Sequence, residues 1–454
     1  MNFSTTKSLY EELPFPLRDP SDENLRLITP PPDHLGKINH FCFRGLKNFD
    51  DSSRLLVAGG GTGDAAIYLA EQLSYRGGGN VVYVDQSESS MEIAKARAEA
   101  RGLRNIDWIN GSILSNAVDS IGQFDYINCV GVIHHLEQPI DGLLKLKSLL
   151  KADGAMCLMV YGRYGRQDIT SVREIFQLYK KVSKPGNILD DAKKLLSSLA
   201  PTNSYMRGRQ RSYILSQLFS DLPNLADIFL NPVEWVYSCE ELANLVEDEA
   251  RLVINKFTTY DCDPAIMGLQ YDPSLLVSDN SIRVNLKNLD KCERWKMAEI
   301  LDGSMHLHCM YIQRKKTDPA DFTDNNLIPF FESQQAKQAV FLLIRQKNQP
   351  LNIKLSNGSE FPLSICAKTA QFLELINNED NIKEILSLMS ISKEEAAILL
   401  NELRLLAELE WVLLRAPSVQ PFLKLDSGES LTEGFNKNGM INYSFPGLHK
   451  DSKR

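Results

Sequence analysis

Residues 54–66 read RLLVAGGGTGDAA. The apolar run over 54–58 predicts a short buried strand, and the apolar spacing over 64–73 predicts a helix. Between them lies a glycine cluster, where the chain can turn sharply and a ligand can approach the backbone without meeting a Cβ. The stretch therefore predicts a ligand site just beyond the end of the first strand of an α/β sheet.

Strand and helix patterns continue to alternate along the chain up to residue 161. A helix is predicted to begin at Ser89, because Glu92 three residues later completes a capping-box pattern. Such alternation is typical of a doubly wound, mostly parallel sheet with right-handed crossovers. We therefore predict an α/β fold with seven strands. The predicted strands are 54–58, 81–84, 105–109, 124–130, 155–161, 251–258 and 305–313, and further helices are predicted over 140–150 and 238–249.

The rest of the chain differs in composition from this α/β stretch. The first 50 residues are rich in proline at their start, and the region after residue 161 has helical patterns without a clear strand. A polar stretch, KKTDPADFTDNN, follows the last predicted strand and is the best linker candidate. The predicted divisions are an N-terminal arm, 1–50; a sheet domain, 51–314, with a helical lid inserted at 162–236; a linker, 315–328; a small, mostly helical, winged-helix-like module, 329–425; and a flexible tail, 426–454.

The overall composition is that of a globular protein. Of the 454 residues, 43% are hydrophobic and 24% are charged, so a sizeable core can form. Lys and Arg number 50 against 58 Asp and Glu, a net charge of −8 that argues against a non-specific nucleic-acid binder. No apolar run is long enough to span a bilayer, and the N-terminus lacks an apolar leader. We expect a soluble, cytoplasmic protein with no membrane partner.

The eight cysteines include no C-x-x-C pair, which argues against a zinc ribbon, a clustered iron–sulfur site or a thioredoxin-like redox centre. His306 and His308 would share one face of a predicted strand. Because no third ligand is evident, we predict no metal site.

Asp85 ends the second predicted strand, 22 residues after Gly63. A carboxylate there can accept hydrogen bonds from both ribose hydroxyls of a nucleoside, at the same sheet edge as the glycines. Gly61, Gly63 and Ala66 also match the dinucleotide pattern G-x-G-x-x-A, which by itself is a weak signal. Asp64 would place a carboxylate beside the pyrophosphate of a dinucleotide, whereas S-adenosylmethionine carries an ammonium and a sulfonium instead.

Four stretches resemble class I S-adenosylmethionine-dependent methyltransferases of the small-molecule type, which have two histidines after the fourth strand. They read, in order, VAGGGTGDA, VVYVDQSESS, WINGSILS and FDYINCVGVIHHLEQP. The resemblance covers residues 54–161, and more loosely 238–313, and implies a Rossmann-like methyltransferase fold with S-adenosyl-L-methionine as cofactor. The cofactor-binding residues that it implies are Gly59, Gly61, Gly63, Asp85, Ser112, Ile113 and Val130. The neighbouring Gly60, Asp64 and Gln86 complete the predicted cofactor site.

Methyl transfer is an in-line displacement that needs alignment and the exclusion of water, and needs a base only if the nucleophile is protonated. His134, His135 and Tyr161 are the candidate catalytic residues. For the histidines there is also a plainer interpretation, in which one packs and hydrogen-bonds the backbone while the other covers the cofactor. In the arm, Tyr10 and Phe15 either close over the cofactor or pack on the outside of the sheet.

We therefore predict a methyltransferase acting on an O, N or C nucleophile of a small metabolite or of a protein or peptide. Two alternatives stay open. One is an NAD(P)-dependent oxidoreductase. The other is a non-catalytic methyltransferase-like scaffold, favoured by Val57 and Ser112, which stand where the family usually has acidic residues.

The module at 329–425 invites comparison with DNA-binding winged helices. Between Lys368 and Glu410 there are four basic and nine acidic residues, the wrong sign for binding phosphates. We therefore predict that the module docks a protein partner or a second copy of the chain.

Overall fold

The computed structural model describes residues 3–183, 187–207, 211–260, 267–346, 349–354 and 360–422. The predicted flexible tail, 426–454, lies outside these residues. Among the described residues, no helix is both long and apolar enough to cross a bilayer.

The central sheet has seven main strands and one short extra strand. In the main sheet all strands are parallel except β8, which runs antiparallel to both of its neighbours. The order across the sheet is β3-β2-β1-β4-β5-β8-β7, and β6 pairs with the end of β5. The predicted doubly wound, mostly parallel sheet is confirmed. The strands are β1 (Arg54–Ala58), β2 (Asn80–Asp85), β3 (Ile106–Asn110), β4 (Phe124–Val130), β5 (Leu150–Gly162), β6 (Val236–Tyr237), β7 (Val253–Phe257) and β8 (Leu307–Gln313).

Apolar clusters cover both faces of this sheet, as burial on two faces requires of a parallel sheet. On one face pack the helices that follow β1 and β2, together with a helix of the arm. On the other face pack the helix before β5 and the segments around β7. The helices on the two faces include Leu35–Cys42, Asp64–Tyr75, Glu88–Ala100, Pro139–Leu149 and Cys239–Ala243. The last of these continues as a π-helix over Asn244–Glu249.

The cap predicted for the helix after β2 was wrong. Ser87 is the N-cap, and its hydroxyl accepts the Ser90 N–H. The Ser89 hydroxyl donates instead to the carboxylate of Glu11 in the arm. The helix starts earlier than predicted because the turn after Asp85 is only one residue long, and Glu11 uses the serine that seemed to be the cap.

The lid is helical as expected, and its last residue begins β6. Its apolar faces pack on one another and on Phe3 and Leu9 of the arm, and Leu9 lies in the arm helix, Thr6–Glu12. Between β7 and β8 lies a second helical segment that the sequence analysis did not resolve, although Asp290 and Glu293 form a capping box. The lid helices are Gln167–Lys180, Ile188–Ser198, Arg211–Ser220 and Leu222–Leu230, and those before β8 are Met267–Gln270, Pro273–Leu276, Asn280–Leu286 and Lys291–Asp302.

The C-terminal module pairs β9 (Ile328–Phe331) with β12 (Val412–Arg415) and carries the hairpin β10 (Leu351–Lys354) and β11 (Glu360–Leu363). Its apolar residues belong to the same cluster as one face of the main sheet. The segment predicted as a linker is also packed, since Ala320 and Phe322 are buried. The boundaries between domains stay predictions. The module helices are Gln334–Arg345, Ala367–Glu374, Ile382–Ser387 and Lys393–Glu408.

A buried polar contact fixes the arm against the sheet. The Asp33 carboxylate accepts hydrogen bonds from the Tyr126 hydroxyl at 2.9 Å and from the Asn128 amide at 2.8 Å, both on β4. Burial raises the pKa of Asp33 to about 6, although both hydrogen bonds act to lower it.

We expect the contribution of Asp33 to the free energy of unfolding to fall as the pH rises from about 4 to 6. Over this range the unfolded chain has lost the Asp33 proton while the folded chain still holds it, so ionisation costs the folded state up to roughly 3 kcal/mol by pH 6. Asp33→Asn removes this cost, so its stability relative to the native chain should rise over that window. Urea unfolding at pH 4, 5 and 7 measures the difference in free energy of unfolding between the variant and the native chain. Asp107→Asn, at an exposed position, is the control. If this free energy changes with pH in the same way in all three proteins, the raised pKa of Asp33 is contradicted.

Candidate functional site

The glycine loop after β1 is held against the end of β2. The N–H groups of Gly59 and Gly60 both donate to the Val84 carbonyl, at 2.8 and 3.1 Å. Gly59, Gly61 and Gly63 have φ of 78°, 51° and 104°, a backbone region that other residues rarely adopt. The predicted sharp turn is therefore present, and Gly63 leads directly into the helix Asp64–Tyr75.

Atoms of the chain itself approach this loop closely. A Cβ on Gly59 would lie 2.4 Å from the Val132 side chain, and one on Gly61 would lie 2.6 Å from the Phe15 carbonyl oxygen. A Cβ on Gly60 would meet the Tyr83 ring at 2.1 Å. The bare backbone is therefore needed for packing against β2, the loop after β4 and the arm.

Asp85 joins the loop to β2, as predicted. One carboxylate oxygen accepts the Gly61 N–H and the other accepts the Ser87 N–H, both at 2.8 Å. The Tyr83 hydroxyl donates to the Gly61 carbonyl at 2.5 Å. Burial raises the pKa of Asp85, and backbone N–H groups, including that of Gln86, oppose this effect. The carboxylate is only half-buried and retains lone pairs for a ligand.

The other predicted cofactor residues lie at the same edge of the sheet. The Gly111 N–H donates to the Asp85 carbonyl, which brings the turn after β3 beside the end of β2. Next in that turn come Ser112, partly exposed, and Ile113, buried. Val130 ends β4 and is also partly exposed. Their part in binding a cofactor stays a prediction.

Asp64 faces two arginines. Its carboxylate lies 2.6 Å from Arg18 of the arm and 2.6 Å from Arg97. Burial acts to raise the pKa of Asp64, but the two guanidinium groups hold it below its ordinary value. Since these partners occupy the carboxylate, it anchors the arm beside the glycine loop.

The arm crosses the carboxyl ends of β1 and β2. The Thr62 N–H donates to the Phe15 carbonyl at 3.3 Å, and the Thr62 hydroxyl donates to the Pro16 carbonyl at 2.7 Å. The Ser87 hydroxyl donates to the Tyr10 carbonyl at 3.0 Å. Of the two arrangements considered for Tyr10 and Phe15, the structure has the one in which they lie over the site.

A second polar group, the Asp227 cluster, comprises Tyr10, His135, Tyr161, Asp227 and Asn231. The Asp227 carboxylate accepts hydrogen bonds from the Tyr10 hydroxyl at 2.5 Å and from the Tyr161 hydroxyl at 2.9 Å. The Asn231 amide donates to the Tyr10 hydroxyl at 3.1 Å. Nε2 of His135 lies 3.8 Å from the nearer Asp227 oxygen. Arm, sheet and lid thus meet at one carboxylate.

The hydrogen bonds of His135 identify its tautomer. Nδ1 lies 2.7 Å from the Val233 carbonyl, which can only accept, so Nδ1 carries the proton. The lone pair of Nε2 then faces Asp227. Burial lowers the pKa of His135, although Asp227 acts to raise it. The ring is therefore neutral at pH 7, with its basic nitrogen toward the cluster.

His134 serves a different purpose. It is fully buried, its ring lies 4.1 Å from the Tyr161 ring, and neither ring nitrogen has a hydrogen-bond partner within the described part of the chain. Burial lowers its pKa well below the ordinary value. The His134 ring is neutral and packed, but the backbone hydrogen bond of the plainer interpretation is made by the His135 ring instead.

Charged residues of the lid complete the site. Arg166 lies over the Tyr161 ring at 3.6 Å, and both Arg166 and Arg173 pair with Glu234, at 3.1 and 3.4 Å. The sequence analysis missed Asp227 and Glu234. Neither belongs to a motif, and only folding of the lid brings them to the sheet.

The two histidines near β8 do not share a strand face, so that expectation was wrong. The strand begins at Leu307; His306 is exposed, whereas His308 is fully buried. Nδ1 of His308 bonds the Tyr271 hydroxyl at 2.7 Å, and Nε2 lies 3.2 Å from Glu299. Cys239 joins them, with ligand atoms within 4.8 Å of one another. Since protein bonds already account for both ring nitrogens, we assign no metal there.

The arrangement fits a nucleoside with a charged methionine tail. A glycine loop and a half-buried acceptor carboxylate lie together at the carboxyl edge of a parallel sheet, where open α/β folds bind ligands. A profile described as "Methyltransferase domain" matches residues 56–156. The chain carries a class I S-adenosylmethionine-dependent methyltransferase domain. This family decides between the two cofactors considered: S-adenosylmethionine, and not NAD(P), is the cofactor.

Similarity to known proteins extends beyond that domain. PKMT2 from Rickettsia typhi, solved in complex with AdoHcy, is 16% identical and has a TM-score of 0.53, over 85% of this chain and 75% of that one, so the fold is shared. An uncharacterized protein of Synechococcus sp. is 27% identical over 70% of this chain and 73% of its own length. A Schizosaccharomyces pombe mitochondrial ubiquinone biosynthesis O-methyltransferase is 32% identical over 27% of this chain and 40% of its own length.

Gly61→Ala should weaken binding of S-adenosylmethionine by at least tenfold. A Cβ there would push away the arm through the Phe15 carbonyl, and φ of 51° strains any L side chain. Calorimetry measures the affinity. Gly102→Ala is the matched control, since φ is 71° and nothing lies within 4 Å of the added methyl. Equal affinities in both variants would refute the placement of the loop.

Asp85→Ala should weaken cofactor binding by roughly 1.5–3 kcal/mol, the value of a hydrogen bond to a charged group. Titration calorimetry gives the difference, and Asp107→Ala, on the exposed side of neighbouring β3, should leave the affinity unchanged. If the affinity of Asp85→Ala for the cofactor is unchanged, other groups hold the ribose and the prediction is wrong.

Proposed function

We propose that the chain transfers the methyl group of S-adenosylmethionine to an O, N or C nucleophile bound at the Asp227 cluster. The acceptor is a small metabolite or a side chain of a protein or peptide. The observation that carries this proposal is the pair formed by Nε2 of His135 and Asp227, 3.8 Å apart, buried and adjacent to the arm that crosses the cofactor edge.

The residues proposed to hold the cofactor are those of the glycine loop and its neighbours. Asp85 is the candidate for the ribose, because its carboxylate is only half-buried and ends β2. When bound, S-adenosylmethionine supplies an electrophilic methyl group on a positively charged sulfur. The ends of β3 and β4 would flank the adenine and methionine parts through Ser112, Ile113 and Val130.

His135 is proposed as the base that takes a proton from the acceptor. Its Nδ1 is tied to the Val233 carbonyl, which fixes the ring and leaves the Nε2 lone pair available. A lowered pKa keeps that nitrogen unprotonated at neutral pH. Asp227 stabilises the imidazolium once the proton has moved, as carboxylates do for histidines in other active sites.

Tyr161 and His134 support this geometry. The Tyr161 hydroxyl orients the Asp227 carboxylate, and burial raises its pKa, so it stays protonated and acts as a donor. His134 packs on the Tyr161 ring and keeps it in place. The arm and lid together exclude water, which protects the reaction from solvent.

The remaining expectations are part of the same proposal. The acidic C-terminal module docks a protein partner or a second copy of the chain, and the protein works in the cytoplasm. Leu388 and Ile398 are exposed apolar side chains of the module and are the candidate contacts for such a partner.

Incubation with methyl-labelled S-adenosylmethionine and a whole-cell extract tests the proposal. We expect label in either the protein or the small-molecule fraction, with formation of S-adenosylhomocysteine. Cofactor binding in calorimetry without any transfer would favour the scaffold alternative.

His135→Asn should lower the rate of transfer by about 100-fold, the usual contribution of a positioned base. In the native chain the rate should fall only below the ordinary imidazole pKa of about 6.5, since the active form is neutral and the pKa of His135 is lowered. The variant should lose this acidic limb. His306→Asn, an exposed histidine outside the site, is the control; a variant that keeps the native rate and acidic limb would exclude His135 as the base.

A further inference from the structure

Asp227 is a buried carboxylate without a cationic partner in contact. It is 3% exposed, and within the described ranges no Lys or Arg nitrogen lies within 4.0 Å of it. The arginines nearby, Arg166 and Arg173, pair with Glu234 instead. Buried charges in proteins are normally paired, because an isolated carboxylate is costly to remove from water. Arg173 acts on Asp227 only from a distance, so what the carboxylate lacks among the described residues is a cation in direct contact.

Nε2 of His135 and the carboxylate of Asp227 face one another, and both are hydrogen-bond acceptors. Nε2 of His135 carries a lone pair, and the nearer oxygen of Asp227 is negatively charged. At 3.8 Å they do not bond each other, so a ligand that donates to both would complete them. The hydroxyls of Tyr10 and Tyr161 are already committed to the carboxylate.

We propose that the methyl acceptor is an amine that enters as an ammonium and pairs with Asp227. The inference rests on the proposed function and specifies its acceptor. An ammonium has three N–H donors and a positive charge, so it can satisfy Asp227 and Nε2 of His135 together. A phenol or alcohol has one donor and no charge. A carboxylate acceptor would be repelled by Asp227, and a carbon nucleophile leaves both acceptors unfilled.

The step balances within the site. The ammonium gives one proton to Nε2 of His135, which leaves a lone pair on the acceptor nitrogen. That pair forms the new N–C bond as the C–S bond of S-adenosylmethionine breaks, and its electrons stay on sulfur as the neutral thioether of S-adenosylhomocysteine. The product is the protonated methylamine, and Asp227 balances the imidazolium until the proton leaves to solvent.

The same carboxylate has a second conceivable partner, the α-ammonium of the cofactor. The two possibilities differ in which affinity depends on Asp227. Pairing with the acceptor predicts an effect on transfer at limiting acceptor, whereas pairing with the cofactor predicts an effect on cofactor affinity.

Chemical blocking of amines tests the acceptor class with the full native chain. One portion of extract is acetylated and then treated with hydroxylamine, so amines stay blocked and hydroxyls are restored. With methyl-labelled cofactor, we expect label in the untreated portion and at least a tenfold loss in the blocked portion. Equal labelling of both portions would overturn the amine and leave the methyltransferase function standing. Absence of label from the untreated portion would overturn both.

Asp227→Asn tests the pairing. The change keeps the shape of the side chain and removes its charge, so transfer at limiting extract should fall at least tenfold. The dissociation constant for S-adenosylmethionine in calorimetry should stay within twofold of the native value. A tenfold rise in that constant would assign Asp227 to the cofactor and refute the proposal. Asp190→Asn, on an exposed position of the lid, is the matched control; if Asp227→Asn does not fold, the amine-blocking result decides.

Discussion

The hydrogen bond from the Gly61 N–H to the Asp85 carboxylate ties the loop after β1 to the end of β2, at the sheet edge proposed to bind the cofactor. It closes the glycine loop over the end of β2 and leaves Asp85 half-buried, with acceptor capacity to spare. The loop in turn presents Thr62, whose N–H and hydroxyl hold the arm at Phe15 and Pro16. That bond acts together with those of Gly59, Gly60 and Tyr83 to fix the loop on which the arm rests.

The arm connects the glycine loop to the lid. Tyr10 lies between the cofactor edge and Asp227, because its carbonyl accepts from Ser87 and its hydroxyl donates to Asp227. A segment near the N-terminus therefore connects the proposed cofactor site with the proposed acceptor site. The cost of burying Asp227 is offset in part by two tyrosine hydroxyls. The rest of that cost is met by the cationic acceptor proposed to pair with it.

Much of the α/β fold could be predicted because the signals were local. Alternating apolar runs and glycines lie within single elements, and the strand from 124 to 130 was predicted with its observed bounds. The glycine loop and Asp85 also came together as expected, since the carboxyl ends of parallel strands share one edge. Ser89 was misassigned as a cap because Glu11, 78 residues away in sequence, takes its hydroxyl. A capping pattern cannot reveal such a competitor.

By itself the sequence determined the order of the seven main strands, the glycine turn and the histidine pair after β4, because periodicity and turn chemistry act between near neighbours. Only the tertiary structure decided which histidine offers a basic nitrogen and which carboxylate faces it. Tyr10 and Asp227 are 217 residues apart, and no short-range pattern encodes their contact. Their meeting depends on how the arm and the lid pack on the sheet, and packing is a property of the whole folded chain.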